Sequence, residues 1–206
     1  MPPGGEPLGE FVWAPWTPWE TAELLAGAEA PWCVAAGWAL DLFLGEQTRE
    51  HEDLEVAVPR GSFGAVAAAL ADYDVAVVGG PGDGSGRRWP LDSPAADVFH
   101  QTWVRDRDTH VYRLDVFREP HDGDTWICRR DETIRLPYGQ VVRRTADGVP
   151  YLSPELALLF KAKHAAEAKN EADFAGAAPL LAREERKWLR AALGRVHPGH
   201  EWLERL

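Results

Sequence analysis

Apolar residues recur along this chain in two rhythms, one of period two and one near 3.6, and the rhythm changes several times. Residues 1–12 are rich in Pro and Gly and predict a loose start. Thr17, Pro18 and Glu20 read as N-cap, N1 and N3 of a capping box, so a helix is expected through about Ala26, closed near Gly27. Trp13, Trp16 and Trp19 ahead of and inside it are expected to fold back as an apolar clamp. Trp32–Ala35 is a short strand signal. Trp38–Leu44 repeats apolar residues at Leu40, Phe43 and Leu44, as one buried helix face requires, and Gly45 is a natural stop. Asp53–Val58 alternates and predicts a strand, Gly61–Leu70 an Ala-rich helix, and Tyr73–Val78 a β-branched strand. Residues 79–85 are expected to be a glycine loop, followed by irregular chain to about Ala96. Strand patterns follow at Val98–Val104, Val111–Phe117, Thr125–Cys128 and Thr133–Leu136. Ser153 and Pro154 then open a helical region reaching about Leu193. The expected fold class is α+β, with a small mixed sheet flanked by helices. The division is an α/β module over 1–150 and a helical C-terminal part over 151–206.

Charge changes this picture more than length does. The 206 residues hold 22 Lys+Arg against 33 Asp+Glu, a net of −11. Residues 161–206 carry nine bases and seven acids, so the acidity belongs to the α/β module. Affinity for phosphate backbones comes largely from Lys and Arg, so nucleic acid is not an expected partner. No apolar run approaches a membrane span, and no signal peptide is visible. Two distant cysteines, Cys33 and Cys128, give neither a disulfide framework nor a zinc motif, and a cytoplasmic protein is expected. Ten tryptophans beside one methionine assign much of the core or a pocket wall to indole.

The acids concentrate where the chemistry would be. Residues 41–60 alone carry six acids and two bases. Asp53 and Glu55 stand two apart on a predicted strand, on one face and ~6.5–7 Å apart. Two such carboxylates repel unless a divalent cation joins them, and Mg²⁺ takes one or two carboxylates while leaving positions for phosphate oxygens. Asp115, inside the pattern Tyr112–Phe117, would complete a three-acid cluster if its strand neighbours that of Asp53. Ala36-Gly37-Trp38 opens a helix, where a small turn and orphan N–H groups favour an anion.

The stretch 32–45, followed by Thr48-Arg-Glu-His-Glu-Asp-Leu-Glu-Val56, resembles the polymerase-beta-like nucleotidyltransferases, and within them the aminoglycoside 2″-adenylyltransferase group. That pattern is Gly-Gly-Trp-Ala-(Ile/Leu)-Asp, then Thr-Arg-x-His-x-Asp-(Leu/Ile)-Asp. The stretch Tyr151–Lys163, Asp173-Phe174 and Pro179-Leu180 are similar too. The resemblance implies a roughly five-stranded mixed sheet with a helical C-terminal extension. It also implies Mg²⁺-dependent transfer of a nucleoside monophosphate from an NTP, with ATP the first choice, to a hydroxyl of a small acceptor such as an aminoglycoside. Asp53 and Glu55 match the two metal-binding acids and Asp115 the third, a ligand or general base. Gly37 matches the turn that touches the triphosphate, with Trp38 beside it. Lys161 and Lys163 match tail lysines that reach phosphates, and beside the resemblance Arg49 reads as a group that orients the phosphates or neutralises the acid cluster. A monomer or a homodimer would serve.

Two departures keep a second reading open. Ala36 replaces the first glycine of the turn, and Glu55 replaces the second aspartate. A catalytically degenerate relative that binds nucleotide or a protein partner, as an antitoxin-like module, is the alternative. Individual residues also have plainer readings. Asp115 could pair with Arg113 or Arg118, Arg49 could be a loop-to-helix ion pair, and Lys161 could lay its stem on apolar surface. His51 would brace its loop. Trp38, Trp103 or Trp126 could line a pocket.

Overall fold

The computed structural model describes residues 2–80 and 86–206. The expected glycine loop therefore lies, from residue 81 to 85, outside the described residues. In chain order the first half runs β1 (Glu6–Pro7), α1 (Pro18–Leu24), β2 (Cys33–Val34), α2 (Ala36–Leu44), β3 (Glu55–Pro59), α3 (Phe63–Ala69), β4 (Asp74–Gly79), β5 (Arg87–Trp89), α4 (Ala95–Val98), β6 (Gln101–Arg105) and β7 (Tyr112–Glu119). The second half runs β8 (His121–Asp122), β9 (Thr125–Ile127), β10 (Arg135–Pro137), α5 (Tyr138–Val141), β11 (Val142–Arg144), β12 (Pro150–Leu152), α6 (Pro154–Lys161), α7 (Ala168–Ala177) and α8 (Arg183–Val196). The fold is mixed α+β, as the sequence pattern predicts.

Chain contacts divide these elements into two compact units that interleave in sequence. One comprises residues 1–32 and 51–119, the other 33–50 and 120–206. This differs from a break at residue 150, because the chain enters the second unit early with β2 and α2 and leaves it again before β3.

In the first unit the strand order is β1-β5-β4-β6-β7-β3. Every pair is antiparallel except β3 with β7. Alternation sorts the side chains. Leu54, Val56, Val104, Leu114 and Val116 are fully buried on one face, with Val66 and Leu70 of the α3 region also fully buried. Trp89 stacks on Phe99 with ring centres 5.1 Å apart, extending that core around Val77 and Ala95. The register slips between Val104 and Arg105, so that Val104 faces Leu114 while Arg105 faces Tyr112. One extra residue in β7 thus returns Tyr112 to the face that carries Asp115 and Trp103.

The N-terminus corrects the sequence reading. β1 pairs with β5, and a β-carbon on Gly5 would stand 2.3 Å from Trp89 Cε2, so only glycine fits beneath that indole. Trp89 Nε1 also donates to Pro3 O at 3.2 Å. Short strands of two or three residues carry too little periodicity to be seen in sequence, and β5 was missed for the same reason. The clamp is partly as expected. Trp13 bridges to Tyr112 and packs on Trp103 at 5.1 Å, and Trp16 meets Tyr73 at 4.9 Å, but Trp19 is 47% exposed. The predicted capping box is present, with Glu20 N–H donating to Thr17 Oγ1 and Thr17 N–H to Glu20 Oε2.

In the second unit β2 pairs parallel with β12, which pairs antiparallel with β11; β8, β9 and β10 form a separate antiparallel sheet. The helix α2 packs on α6, α7 and β12, and α6 on α8. Ser153 sits at the N-cap of α6 as predicted, but its hydroxyl makes no capping bond. The core of this unit contains Leu40, Leu156, Leu158, Leu159 and Phe174. Trp202 stacks on Phe174 at 4.1 Å and donates to Glu171 Oε2 at 2.9 Å, which ties down the C-terminus.

Candidate active site

The first unit carries all three sequence-predicted acids. β3 and β7 run parallel with Glu55 in register with Asp115. Adjacent strands lie about 4.8 Å apart, so these two carboxylates are near neighbours on one face. The ladder extends back one residue, with Asp115 N–H donating to Leu54 O at 2.9 Å. Asp53, one pleat before Glu55, therefore projects to the same side. Leu54 and Val56 alternate into the core and are fully buried, whereas Asp53 and Glu55 are half-buried. Asp115 is only 3% exposed. The strand adjacency that the three-acid reading required is thus present.

The plainer partners proposed for Asp115 are engaged elsewhere. Arg118 points to the opposite face and donates to Ala96 O and Phe99 O, and Arg113 donates to Ala14 O at 2.9 Å. Asp115 Oδ2 instead accepts from Gln101 Nε2 at 2.8 Å. On the other side Asp115 faces Trp103 in register. Trp103 is half-buried within a ring cluster of Phe11, Trp13 and Tyr112, with centres 5.1–5.2 Å away. Of the indoles considered as pocket walls, Trp103 thus stands beside Asp115 on this face.

Among the described residues, no group of three or more His, Cys, Asp or Glu side chains closes tightly enough to hold a metal ion. The donor chemistry nevertheless fits a hard divalent cation. Mg²⁺ needs only one or two protein carboxylates and fills its octahedron with water and phosphate oxygens. Glu55 and Asp115 supply such a pair, and like charges placed in register are unfavourable without a cation.

The second unit carries the turn and the cationic residues. Ala35 is the N-cap of α2, and Ala36 takes φ +50°, one of two described non-glycine residues with positive φ. The turn therefore adopts a conformation that suits glycine, with alanine in place. Gly37 follows, buried, and Trp38 is 8% exposed. Gly45 ends the helix in the left-handed conformation at φ +80°, as predicted. Asp41 inside α2 accepts from Thr48 Oγ1 at 2.6 Å, which holds the following loop against the helix.

Arg49 and Lys161 converge on Asp173 of α7. Arg49 Nε and Nη2 each donate at 3.2 Å, a bidentate fork, and Lys161 Nζ stands 2.7 Å from the second oxygen. Lys161 also donates to Asn170 Oδ1 at 3.0 Å. Burial pushes the Asp173 carboxyl up, but the bonds from Arg49 and Lys161 outweigh it and hold its pKa below the usual aspartate value. The ion-pair reading of Arg49 is thus what the structure shows, and Lys161 is paired rather than laid over apolar surface. Lys163 lies in a short 3₁₀ turn after α6 and is exposed. Trp126 is 2% exposed and packs edge-on to Phe160, a core position.

The geometry can be set beside known proteins. The family model for aminoglycoside-2″-adenylyltransferase matches residues 19–79, a span that contains Gly37, Trp38, Arg49, Asp53 and Glu55. Among solved structures, antibiotic-resistance factor ANT(2″)-Ia matches 90% of this chain and 96% of its own, with 18% identity and a TM-score of 0.51. ANT(2″)-Ia in complex with adenylyl-2″-tobramycin matches over 86% and 97%, with 20% identity and a TM-score of 0.56. The lincosamide antibiotic adenylyltransferase LnuA, bound to lincomycin, matches over 79% and 95%, with 17% identity and a TM-score of 0.54. The chain has the nucleotidyltransferase fold. Over residues 19–79 it resembles the aminoglycoside-2″-adenylyltransferases. No curated protein sequence matches it.

Within this nucleotidyltransferase fold, Gln101 escaped the sequence reading, as did the pairing of Asp173 with Arg49. Gln101 sits in a strand pattern whose start is hidden by the preceding α4, and only the register of β6 on β7 brings it to Asp115. Asp173 was visible as part of Asp173-Phe174, but nothing in its spacing announces Arg49, 124 positions away.

Proposed function

We propose that this protein is a Mg²⁺-dependent nucleotidyltransferase that moves a nucleoside monophosphate, with ATP as the first candidate donor, to a hydroxyl of a small antibiotic-like acceptor. The observation that carries the reading is the register of Glu55 on Asp115, with Asp53 one pleat away on the same face. Asp53, Glu55 and Asp115 would hold the metal. When bound, it would neutralise the triphosphate and the departing pyrophosphate. Asp115, buried and accepting from Gln101, would also take the proton of an acceptor hydroxyl. Gly37 and the opening of α2 offer backbone N–H groups to phosphate. Arg49 and Lys161 serve through their shared ion pair with Asp173, which leaves Lys163 as the exposed cation of the three. The names of the relatives support the acceptor class, since one is bound to adenylyl-2″-tobramycin and another to lincomycin.

The test is calorimetric titration of ATP, GTP, CTP and UTP with Mg²⁺ into wild type and Asp53→Ala. This is followed by mass spectrometry of tobramycin and lincomycin incubated with enzyme and the nucleotide that binds. Binding lost in Asp53→Ala, with a nucleotidyl adduct on either antibiotic, is the expected result. Absence of nucleotide binding by wild type removes the proposal. The degenerate reading turns on Glu55: binding without transfer in wild type, and transfer gained in Glu55→Asp, would favour it.

A further inference from the structure

Gln101 opens β6 in register with Phe117, two residues beyond Asp115 on β7. Residues two apart on a strand share a face, so Gln101 and Asp115 are diagonal neighbours. Such diagonals span roughly 7–8 Å, a gap that a long side chain can bridge. Gln101 Nε2 bridges it, donating to Asp115 Oδ2 at 2.8 Å.

The choice of donor matters. A buried carboxylate held by arginine is neutralised as well as oriented, and loses attraction for a metal. The two arginines of β7 that flank Asp115 in sequence donate to backbone carbonyls instead, Arg113 to Ala14 and Arg118 to Ala96 and Phe99. A neutral amide fixes one carboxylate oxygen, and with it the plane of the group, while leaving the charge. Groups that orient a metal-binding side chain in this way affect affinity although they never touch the metal.

We infer that Gln101 is a positioning residue, which sets the plane of the Asp115 carboxylate, so that the acid meets the metal-bound nucleotide in one orientation. The inference rests on the reading of Asp53, Glu55 and Asp115 as the nucleotidyl-transfer site.

Four proteins test it: wild type, Gln101→Met, Asp115→Asn and the double variant. Methionine keeps the length of glutamine and removes the donor. Titration of ATP with Mg²⁺ is expected to show about tenfold weaker binding in Gln101→Met, and titration of ATP without metal no change. In the Asp115→Asn background the same substitution is expected to add nothing, because Gln101 acts through that carboxylate. Unchanged Mg²⁺-ATP affinity in Gln101→Met, or an equal further loss in the double variant, overturns the inference. Gln101→Thr, a good strand former, replaces the methionine variant should that one fail to fold. A crystal structure of the variant separates this inference from the functional proposal. If wild type binds no Mg²⁺-ATP, the functional proposal fails by itself. The inference then stands on a rotated Asp115 carboxylate in the variant crystal and falls on one that keeps the wild-type plane.

Discussion

Ala36 shows what one side chain can impose on a turn. Its φ of +50° places it in the left-handed region, which costs a non-glycine residue about 1–2 kcal/mol. Glycine removes that strain but loses about 0.4–1 kcal/mol through greater freedom in the unfolded chain. Ala36→Gly is therefore expected to stabilise the protein by about 0.5–1 kcal/mol, read as a higher urea midpoint at unchanged slope. A lower midpoint would show that the turn does not carry the strain its dihedral implies. Asp173 is the opposite case, a residue whose loss leaves charges behind. Asp173→Ala strands Arg49 and Lys161, which is 10% exposed, and a cost of about 3–5 kcal/mol is expected in the same assay. Because the folded Asp173 pKa is lowered, its stabilisation is present above the ordinary aspartate pKa and is lost as pH falls through the folded value. Glu155 has the reverse sign. Burial raises its pKa, against the nearby Arg143, whose Nη2 is 4.0 Å from Oε2. Its contribution is full below the ordinary glutamate pKa and is lost as pH rises through the raised folded value. Thermal melts of Glu155→Gln across that window should fall less steeply with pH than those of wild type, and parallel curves would refute this account.

At the level of elements, legibility followed length and capping. The helices α1, α2 and α6 each announce themselves by a start signal or a stop residue, Thr17-Pro18, Gly45 and Ser153-Pro154, and the start of each lies within two residues of its expected position. The strands β3, β4 and β7 are long enough for alternation to show. Strands β1, β5, β11 and β12 hold two or three residues, and their existence depends on partners remote in sequence. The same division explains the site. Asp53 and Glu55 were legible because both lie on one local pattern. The adjacency of Asp115 was only conditional, since strand order is not written in periodicity. The bond from Gln101 was invisible because it needs register as well as order. The N-terminal segment illustrates the point physically. Val12 O accepts from Tyr112 N, and Tyr112 O and Arg113 O accept from Ala14 N and Trp16 N, so residues 12–16 line the start of β7 just before β3 takes that place at Asp115. Trp13 gives the segment its grip on Trp103 and Tyr112. Trp13→Ala is expected to cost about 2–3 kcal/mol, below the 3–5 of a fully buried indole because Trp13 is half-buried. Hydrogen exchange should show the change first at the Tyr112 and Ala14 amides, and protection retained there would mean that the segment is held by something else.

Over the whole molecule, the negative charge is unevenly distributed between the two units. Residues 1–32 and 51–119 hold seventeen acids and seven bases, all of the latter arginine, a net of −10. Residues 33–50 and 120–206 hold sixteen acids and fifteen bases, a net of −1. The unit that carries Asp53, Glu55 and Asp115 is therefore also the unit with the strongest negative field, and every lysine of the chain lies in the other. A field of this kind raises the local concentration of any cation, whether or not a specific site exists. The two contributions separate by charge placement. Asp53→Asn with Glu55→Gln removes two charges at the acid face. Glu10→Gln with Glu23→Gln removes two from elsewhere in the same unit, where Glu10 and Glu23 are both exposed. If a built site binds Mg²⁺, the first pair should abolish binding by calorimetry and the second should weaken it only slightly. Raising the salt from 0.01 M toward 1 M shortens the screening length from about 30 Å to about 3 Å, which suppresses the distant contribution and spares the contact one. Binding that falls equally in both double variants, and vanishes at high salt, would reduce the acid face to part of a diffuse negative surface. Binding that survives salt in wild type and in the distant variant, but not in the Asp53 and Glu55 variant, would tie the net charge of the chain to one cation-binding place on its sheet.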